Sequence, residues 1–120
     1  MALFTAIFEY KGGNYTSQIR ARSVSTAFRV WIETVDQRGI PGIGPSKRDR
    51  AVRDLIEDRE RGYRVLIPAL LDGLQGVWFC GVPDSIQARG ACLNIVQTVT
   101  VSSAPPNKSF KRTRQKRRAA

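Results

Sequence analysis

Two segments near the start of the chain, residues 2–10 and 15–22, show side-chain patterns with a period of two. Within residues 2–10 one side of the repeat is apolar and aromatic: Phe4, Ala6, Phe8 and Tyr10. Residues 15–22 alternate again, with Tyr15, Ser17, Ile19 and Ala21 on one side. A period of two is typical of a β-strand, and Lys11-Gly12-Gly13-Asn14 between the two segments is a turn-forming sequence. The pattern therefore predicts an N-terminal β-hairpin.

The apolar spacing then becomes helical. One stripe of apolar residues recurs at i, i+3, i+4 and i+7: Phe28, Trp31, Ile32 and Val35. This spacing predicts an amphipathic helix that begins after Ser23, whose side chain can accept a hydrogen bond from the first turn. The helix is expected to run to about Gln37, with Gly39 as its stop.

A second helix is predicted from Ser46 to about Arg61, where Gly62 ends it. Ser46 with Asp49 three residues later resembles a capping box, with Asp in place of the usual Glu. Its apolar face is thin: Ala51, Val52, Leu55 and Ile56. Charged pairs at i, i+4 add a few tenths of a kcal/mol each: Arg50/Asp54, Asp49/Arg53 and Glu57/Arg61.

The remaining segments complete an α+β pattern. Residues 63–76 are apolar but carry Pro68 and two glycines, which favours an irregular segment over the core. Residues 77–82 and 91–101 are predicted strands, separated by a polar loop over 83–90. The predicted fold is an antiparallel sheet in the element order β-β-α-α-β-β, with both helices on one face.

The chain divides into one domain and a tail with a different composition. Residues 1–102 are expected to form a single α+β domain, and residues 103–120 a basic tail without periodicity, for which disorder is the expectation. The tail segment 107–120 holds seven of the 20 Lys and Arg residues and none of the ten acids. The remaining 13 basic residues nearly balance those acids, so the high pI describes the tail and not the domain.

The composition argues against several classes of protein. The longest apolar run is too short to span a membrane. The N-terminus lacks the basic region and the cleavage site of a signal peptide. A cytoplasmic protein with reduced thiols is therefore expected. The chain has no histidine, which removes the commonest general base and metal ligand. We predict no catalytic residues, metal ligands or cofactor, and favour a protein that is not an enzyme.

The two cysteines, Cys80 and Cys92, flank a loop with its midpoint near Ile86. On paired strands they would lie almost opposite each other. A redox switch or half of a metal site is one interpretation, and two small buried core residues is the other. We favour the second, because free cysteine is usually buried and inert.

The loop over residues 40–45, IPGIGP, carries the sharpest motif. It resembles the hairpin of helix-hairpin-helix DNA-binding modules, in which backbone amides at a helix start hold a phosphate. The resemblance implies phosphate or DNA contacts from five residues: Gly42, Gly44, Lys47, Arg48 and Arg50. Such modules usually carry a small residue where this chain has Arg48. A tight turn between two helices, without a nucleic-acid role, is the competing interpretation.

Trp78 and Phe79 are adjacent in a predicted strand. Neighbouring strand residues point to opposite faces of a sheet, so one of the two aromatic rings needs cover. This indicates a self-association surface at Trp78 and Phe79, and a homodimer as the expected partner.

The tail carries a second resemblance. Residues 107–113, NKSFKRT, followed by a basic run and a final Ala-Ala, resemble the translated recombination site at the end of proteins encoded on integron cassettes. The resemblance implies that a mobile gene cassette encodes the chain, and it implies nothing about the fold or activity. A basic arm that binds nucleic acid is the competing interpretation.

These observations lead to one functional expectation with two alternatives. The expectation is a non-enzymatic binding or interaction module that self-associates through a sheet edge or the Trp78 strand. Nucleic-acid binding through residues 40–50 and the basic tail is one alternative. The other is a small-molecule-binding protein with a pocket between the helices and the sheet.

Overall fold

The computed structural model describes residues 1–99, which form one five-stranded sheet and two α-helices. In chain order the elements are β1 (Ala2–Tyr10), β2 (Gly13–Ala21), α1 (Val24–Glu33), α2 (Pro45–Arg61), β3 (Pro68–Leu70), β4 (Val77–Cys80) and β5 (Cys92–Thr98). The sheet is antiparallel with the order β2-β1-β5-β4-β3. The predicted α+β class is confirmed. The predicted boundary at residue 102 and the tail over 103–120 lie outside the described residues.

The β1–β2 hairpin closes through a two-residue turn. Tyr10 pairs with Gly13, and Lys11 and Gly12 both have positive φ angles, 48° and 84°. Positive φ at both central residues is the type I′ turn, whose twist matches that of the flanking strands. The turn fixes the register and directs alternate β1 side chains into the core, where all are buried: Phe4, Ala6, Phe8 and Tyr10.

Helix α1 packs its apolar stripe on this face of the sheet. Ser23 is the N-cap as predicted, and its Oγ accepts a hydrogen bond from the backbone N–H of Thr26 at 3.2 Å. Trp31 is 1% exposed and meets the Phe8 ring edge-on, with the two ring centroids 4.9 Å apart. This aromatic pair joins the helix to the centre of the sheet.

The end of α1 differs from the prediction. The helix ends at Glu33 instead of Gln37, and residues 35–37 form a 3-10 turn. Thr34 has a φ of −121° and donates its hydroxyl hydrogen to the carbonyl of Val30 at 2.7 Å. A threonine side chain that bonds the preceding turn competes with continuation of the helix.

The start of α2 also differs from the prediction. Gly44 is the N-cap and Pro45 the first helical residue, so the capping box predicted at Ser46 and Asp49 is wrong. Proline fits the first helical position because its missing N–H has no partner there in any helix. At the other end, Gly62 closes the helix with a φ of 70°, as predicted.

One of the three predicted i, i+4 ion pairs of α2 forms within the described residues, Glu57 with Arg61 at 3.0 Å. Asp49 pairs instead with Arg48, also at 3.0 Å. Asp54 accepts hydrogen bonds from the backbone N–H and the hydroxyl of Ser85, which joins α2 to the β4–β5 connection.

The segment over 63–76 contains a strand that the sequence pattern did not predict. Residues 68–70 form β3 and pair with β4, so the prediction of a wholly irregular segment is wrong. The two predicted C-terminal strands are present but shorter, because β4 ends at Cys80 and β5 spans 92–98. Residues 100 and 101 of the predicted last strand lie outside the described residues.

The two cysteines do not lie opposite each other. Cys80 pairs with Leu93, so the Cys80 and Cys92 side chains project from opposite faces of the sheet. Both are free thiols, and Cys80 is completely buried. Burial, reinforced by the nearby Cys92, raises the pKa of the Cys80 thiol to about 12.

The core lies between one face of the sheet and α1. Helix α2 packs against α1 and the 3-10 turn over residues 84–86. On the opposite face of the sheet Ile7 is 37% exposed and Phe79 is 45% exposed. Both helices therefore lie on the predicted side of the sheet, with α1 directly on the strands and α2 mainly on α1 and the turn over 84–86.

Candidate binding surfaces

The predicted DNA-binding loop is a type II turn whose first and last residues, Ile40 and Ile43, are buried. The N–H of Ile43 donates to the carbonyl of Ile40 at 3.2 Å, and Gly42 has a φ of 84°. Proline at the second position and glycine at the third are typical of this turn. Ile40 and Ile43 are each 5% exposed, so the loop's isoleucines belong to the core while Pro41 and Gly42 are exposed.

The basic residues that follow this loop are not equivalent. Arg48 lies 3.0 Å from Asp36 and 3.0 Å from Asp49. The hydrogen bond to Asp49 and the charge of Asp36 raise the pKa of Arg48. Lys47 is half-buried and Arg50 is exposed. The structure therefore brings Gly42, Gly44, Lys47 and Arg50 to one end of α2, with the Arg48 charge already compensated.

Trp78 and Phe79 do not form a single surface. Trp78 lies on the helix side of the sheet, half-buried, with its ring edge-on to Phe4 at 6.1 Å between centroids. Phe79 lies on the opposite face and is 45% exposed. Of the two predicted self-association residues, Phe79 is the one that faces away from the core.

Strand β2 forms one edge of the sheet, and its outer side has no partner strand among the described residues. In a two-residue hairpin the closing pair, Tyr10 and Gly13, exchanges hydrogen bonds, and such pairs alternate along the ladder. The backbone groups of four β2 residues must therefore point outward: Asn14, Thr16, Gln18 and Arg20. The nine-residue strand has neither a proline nor a bulge to block this edge.

Ser17 lies at the centre of β2 and contains an unsatisfied polar atom. Its Oγ is shielded from solvent and has no hydrogen-bond partner among the described residues. Its side chain shares the helix side of the sheet with Ile19 and Ala21, which are buried. A buried hydroxyl without a partner costs roughly 1–3 kcal/mol. The sequence held a signal for this feature, since Ser17 is the one aliphatic hydroxyl among the inward-facing positions of β2, beside Tyr15, Ile19 and Ala21.

A groove of about 450 Å³ opens on the helix side of the molecule, between α1, the end of α2 and the segment that leads to β3. Its lining combines apolar and basic side chains with two hydroxyls: Ser25, Thr26, Phe28, Arg29, Leu55, Asp58, Arg59, Gly62, Arg64, Leu66, Ile67 and Pro68. The sequence indicated a pocket between the helices and the sheet only as an alternative and named none of its residues, because residues from three separate segments form it.

Asp58 shapes one wall of the groove and is 6% exposed. One carboxylate oxygen accepts the N–H of Val65 at 3.0 Å, and the other accepts the N–H of Leu66 at 3.1 Å. The carboxylate thus holds the chain in place after α2. Arg64, next to these residues, has a φ of 58°, which is uncommon for a residue other than glycine.

Within residues 1–99 no group of three His, Cys, Asp or Glu side chains is arranged to hold a metal ion. Neither described helix has the length and apolar content that crossing a bilayer requires. No protein-family model, curated protein or solved structure matches the chain.

Proposed function

We propose that this protein is a non-enzymatic interaction module that acts as a homodimer, in which β2 pairs antiparallel with β2 of a second copy. The observation that carries the proposal is the outer edge of β2, nine residues long and unpaired among the described residues. At its centre is Ser17, whose hydroxyl oxygen is shielded from solvent and has no hydrogen-bond partner there. An edge of this kind is a template for strand addition.

The register of the pairing follows from the outward backbone groups. A twofold axis at Ser17 places Thr16 opposite Gln18 of the partner subunit, and Asn14 opposite Arg20 of the partner subunit. These are the residues whose N–H and C=O groups point outward, so each facing pair exchanges two hydrogen bonds. Ser17 then faces the partner's Ser17 in a non-hydrogen-bonded pair, and the two hydroxyls can bond to each other.

The charges of the edge fit the same register. Arg20 is the one charged residue of β2. In this register it lies opposite Asn14 of the partner subunit, so the two arginines of the dimer do not face each other. Glu9 pairs with Asn14 across the hairpin and is exposed. Arg20 of one protomer therefore lies in one row with Asn14 and Glu9 of the partner subunit. An Arg side chain that reaches across the intervening strand can pair with that carboxylate, once on each side of the axis.

Disulfide trapping tests the register directly. Across a non-hydrogen-bonded antiparallel pair the Cα atoms lie about 4.5 Å apart, which is within the range that a disulfide spans. In a Cys92→Ser background, we expect Ser17→Cys to form an intermolecular disulfide under mild oxidation, seen as a dimer on non-reducing gels. Gln18→Cys is the matched control, since it faces Thr16 of the partner subunit, and it should form no crosslink and run as a monomer on the same gel.

The open face of the sheet is the competing surface, and Phe79→Lys distinguishes the two. If the edge forms the dimer, Phe79→Lys leaves the dimer mass in sedimentation unchanged. If Phe79→Lys abolishes the dimer and Ser17→Cys forms no crosslink, the interface lies on the Phe79 face and the edge-to-edge dimer is wrong. A wild-type protein that remains a monomer at all concentrations would refute self-association itself.

Nucleic-acid binding is a second candidate. Two observations support it: the seven basic residues of 107–120 and the exposed turn ahead of α2, with Arg50 beside it. Seven cations can bind phosphates with a strong salt dependence. The tail lies outside the described residues, so its contribution is a proposal from charge alone.

We also propose that the gene belongs to a mobile integron cassette and that the protein acts in the cytoplasm. The NKSFKRT sequence of the tail supports the first proposal, and the two free thiols are compatible with the second. The coding DNA for residues 107–120 tests the cassette origin. An imperfect inverted repeat is expected there, and its absence would favour selection for a basic arm.

A further inference from the structure

The groove between α1, α2 and the segment leading to β3 has an apolar floor. Phe28 and Leu55 are 2% and 8% exposed and form its inner part. Leu66, Ile67 and Pro68 continue the apolar surface outward, and Ile67 remains 38% exposed. A volume of about 450 Å³ is within the range of small-molecule sites, which are mostly apolar with a few polar groups that fix orientation.

The rim of this groove is positively charged. Three arginines line it, Arg29, Arg59 and Arg64. Arg29 lies 3.7 Å from Glu33, whereas neither Arg59 nor Arg64 has a carboxylate within ion-pair distance among residues 1–99. Arginine presents a planar fork of donors that matches a carboxylate.

The one acid in the lining does not neutralise these arginines by direct contact. Both oxygens of Asp58 accept backbone hydrogen bonds from Val65 and Leu66. The same two hydrogen bonds fix the segment that carries Arg64, whose left-handed backbone is costly for a side-chain-bearing residue. Asp58 thus helps to hold Arg64 in this uncommon backbone conformation at the rim of the groove.

We infer that this groove binds a small amphipathic carboxylate, with its apolar tail on Phe28, Leu55 and Ile67 and its acid group between Arg59 and Arg64. Charge complementarity decides the class of ligand, because the rim holds two uncompensated cations above an apolar floor. The hydroxyls of Ser25 and Thr26 at the start of α1 lie in the same lining and can accept or donate hydrogen bonds. The inference is independent of the proposed dimer.

Decanoate and decanol, below the concentration at which decanoate forms micelles, are the probes. Amide chemical shifts of the full-length protein are followed by NMR as each probe is added. Decanoate should shift the resonances of the groove residues and bind more tightly than decanol. Arg59→Gln with Arg64→Gln should weaken decanoate binding by about tenfold or more, the value of one to two charge-assisted hydrogen bonds, and leave decanol binding unchanged.

Two further variants complete the design. Arg50→Gln with Arg53→Gln removes the same charge from exposed positions outside the groove and should leave decanoate binding unchanged. Ile67→Ser should weaken both probes, because it shortens the apolar floor. The inference is overturned if decanoate binds no better than decanol, if its shifts map outside the groove, or if the two arginine pairs have equal effects.

Discussion

At the residue scale, Asp58 shows how one side chain determines the path of the chain. It is the one buried charged residue in the described part of the molecule, and its two oxygens accept the N–H groups of consecutive residues. An acid within a charged helix is expected to pair with a nearby arginine, and the sequence did not distinguish Asp58 from its neighbours. Its role follows from the direction in which the chain turns after Gly62.

Asp58→Asn removes one of the two acceptors and places an amide N–H group against a backbone donor. We expect a loss of about 1–3 kcal/mol in the free energy of unfolding, because a buried donor is left without a partner. Urea denaturation measures the loss. Glu57→Gln is the control, since Glu57 forms an exposed pair with Arg61 and should cost less than about 1 kcal/mol. Equal effects of the two substitutions would contradict the role given to Asp58.

Cys80 predicts a pH dependence. Burial keeps its thiol protonated in the folded protein up to a pH of about 12, whereas the ordinary pKa is 9.0. Above pH 9 the unfolded chain releases a proton that the folded chain retains, so the contribution to stability falls as pH rises from about 9 to about 12. Cys80→Ala should weaken this alkaline loss in urea titrations between pH 8 and 10. An unchanged pH profile in Cys80→Ala would show that other groups that titrate at alkaline pH cause the loss of stability.

At the element scale, the sequence predicted those elements whose pattern is local. The β1–β2 hairpin follows from a period of two around a glycine turn, and α1 follows from its apolar stripe and Ser23. Strand β3 was missed because Pro68 discourages a strand assignment and its pairing depends on β4. The proline is compatible with the strand because its nitrogen lies on the outer edge, where no hydrogen bond is needed.

The sheet order could not be derived from local pattern either. β5 lies between β1 and β4, which is a long-range pairing that no window of the sequence contains. The groove and the outward edge of β2 follow from this assembly. Residues such as Ser17 and Arg64 could not be recognised as parts of a surface from the sequence, because their surroundings depend on which segments meet in the fold.

The nucleic-acid hypothesis concerns the turn over residues 40–43 and the first residues of α2. Arg48 is held by Asp36 and Asp49, so we expect the tail to supply most of any affinity for duplex DNA. Full-length protein with the seven basic tail residues changed to Gln should lose binding in a fluorescence-anisotropy titration. Gly42→Asp with Lys47→Ala should retain it. The opposite result would assign DNA binding to the turn and revive the helix-hairpin-helix interpretation.

At the scale of the whole molecule, the sheet has two different edges. β3 is three residues long and carries Pro68, both of which are features that restrict strand addition. β2 is nine residues long and has no such protection. The asymmetry favours one mode of assembly, in which the two β2 edges meet and a continuous ten-stranded sheet results from two copies of five strands.

This assembly predicts that stability depends on protein concentration. Because the dimer forms from folded chains, a tenfold rise in concentration should raise Tm by about 3 °C, as mass action and the unfolding entropy of a domain of this size require. Thr16→Lys with Gln18→Lys places lysines opposite lysines across the axis, which is unfavourable, and should abolish the dependence. Gln37→Lys with Gln75→Lys adds the same charge at exposed positions away from β2 and should preserve it. A concentration-dependent Tm that survives the β2 substitutions would place the interface elsewhere, whereas a Tm that is constant in the wild type would mean that the edge of β2 remains unpaired in solution.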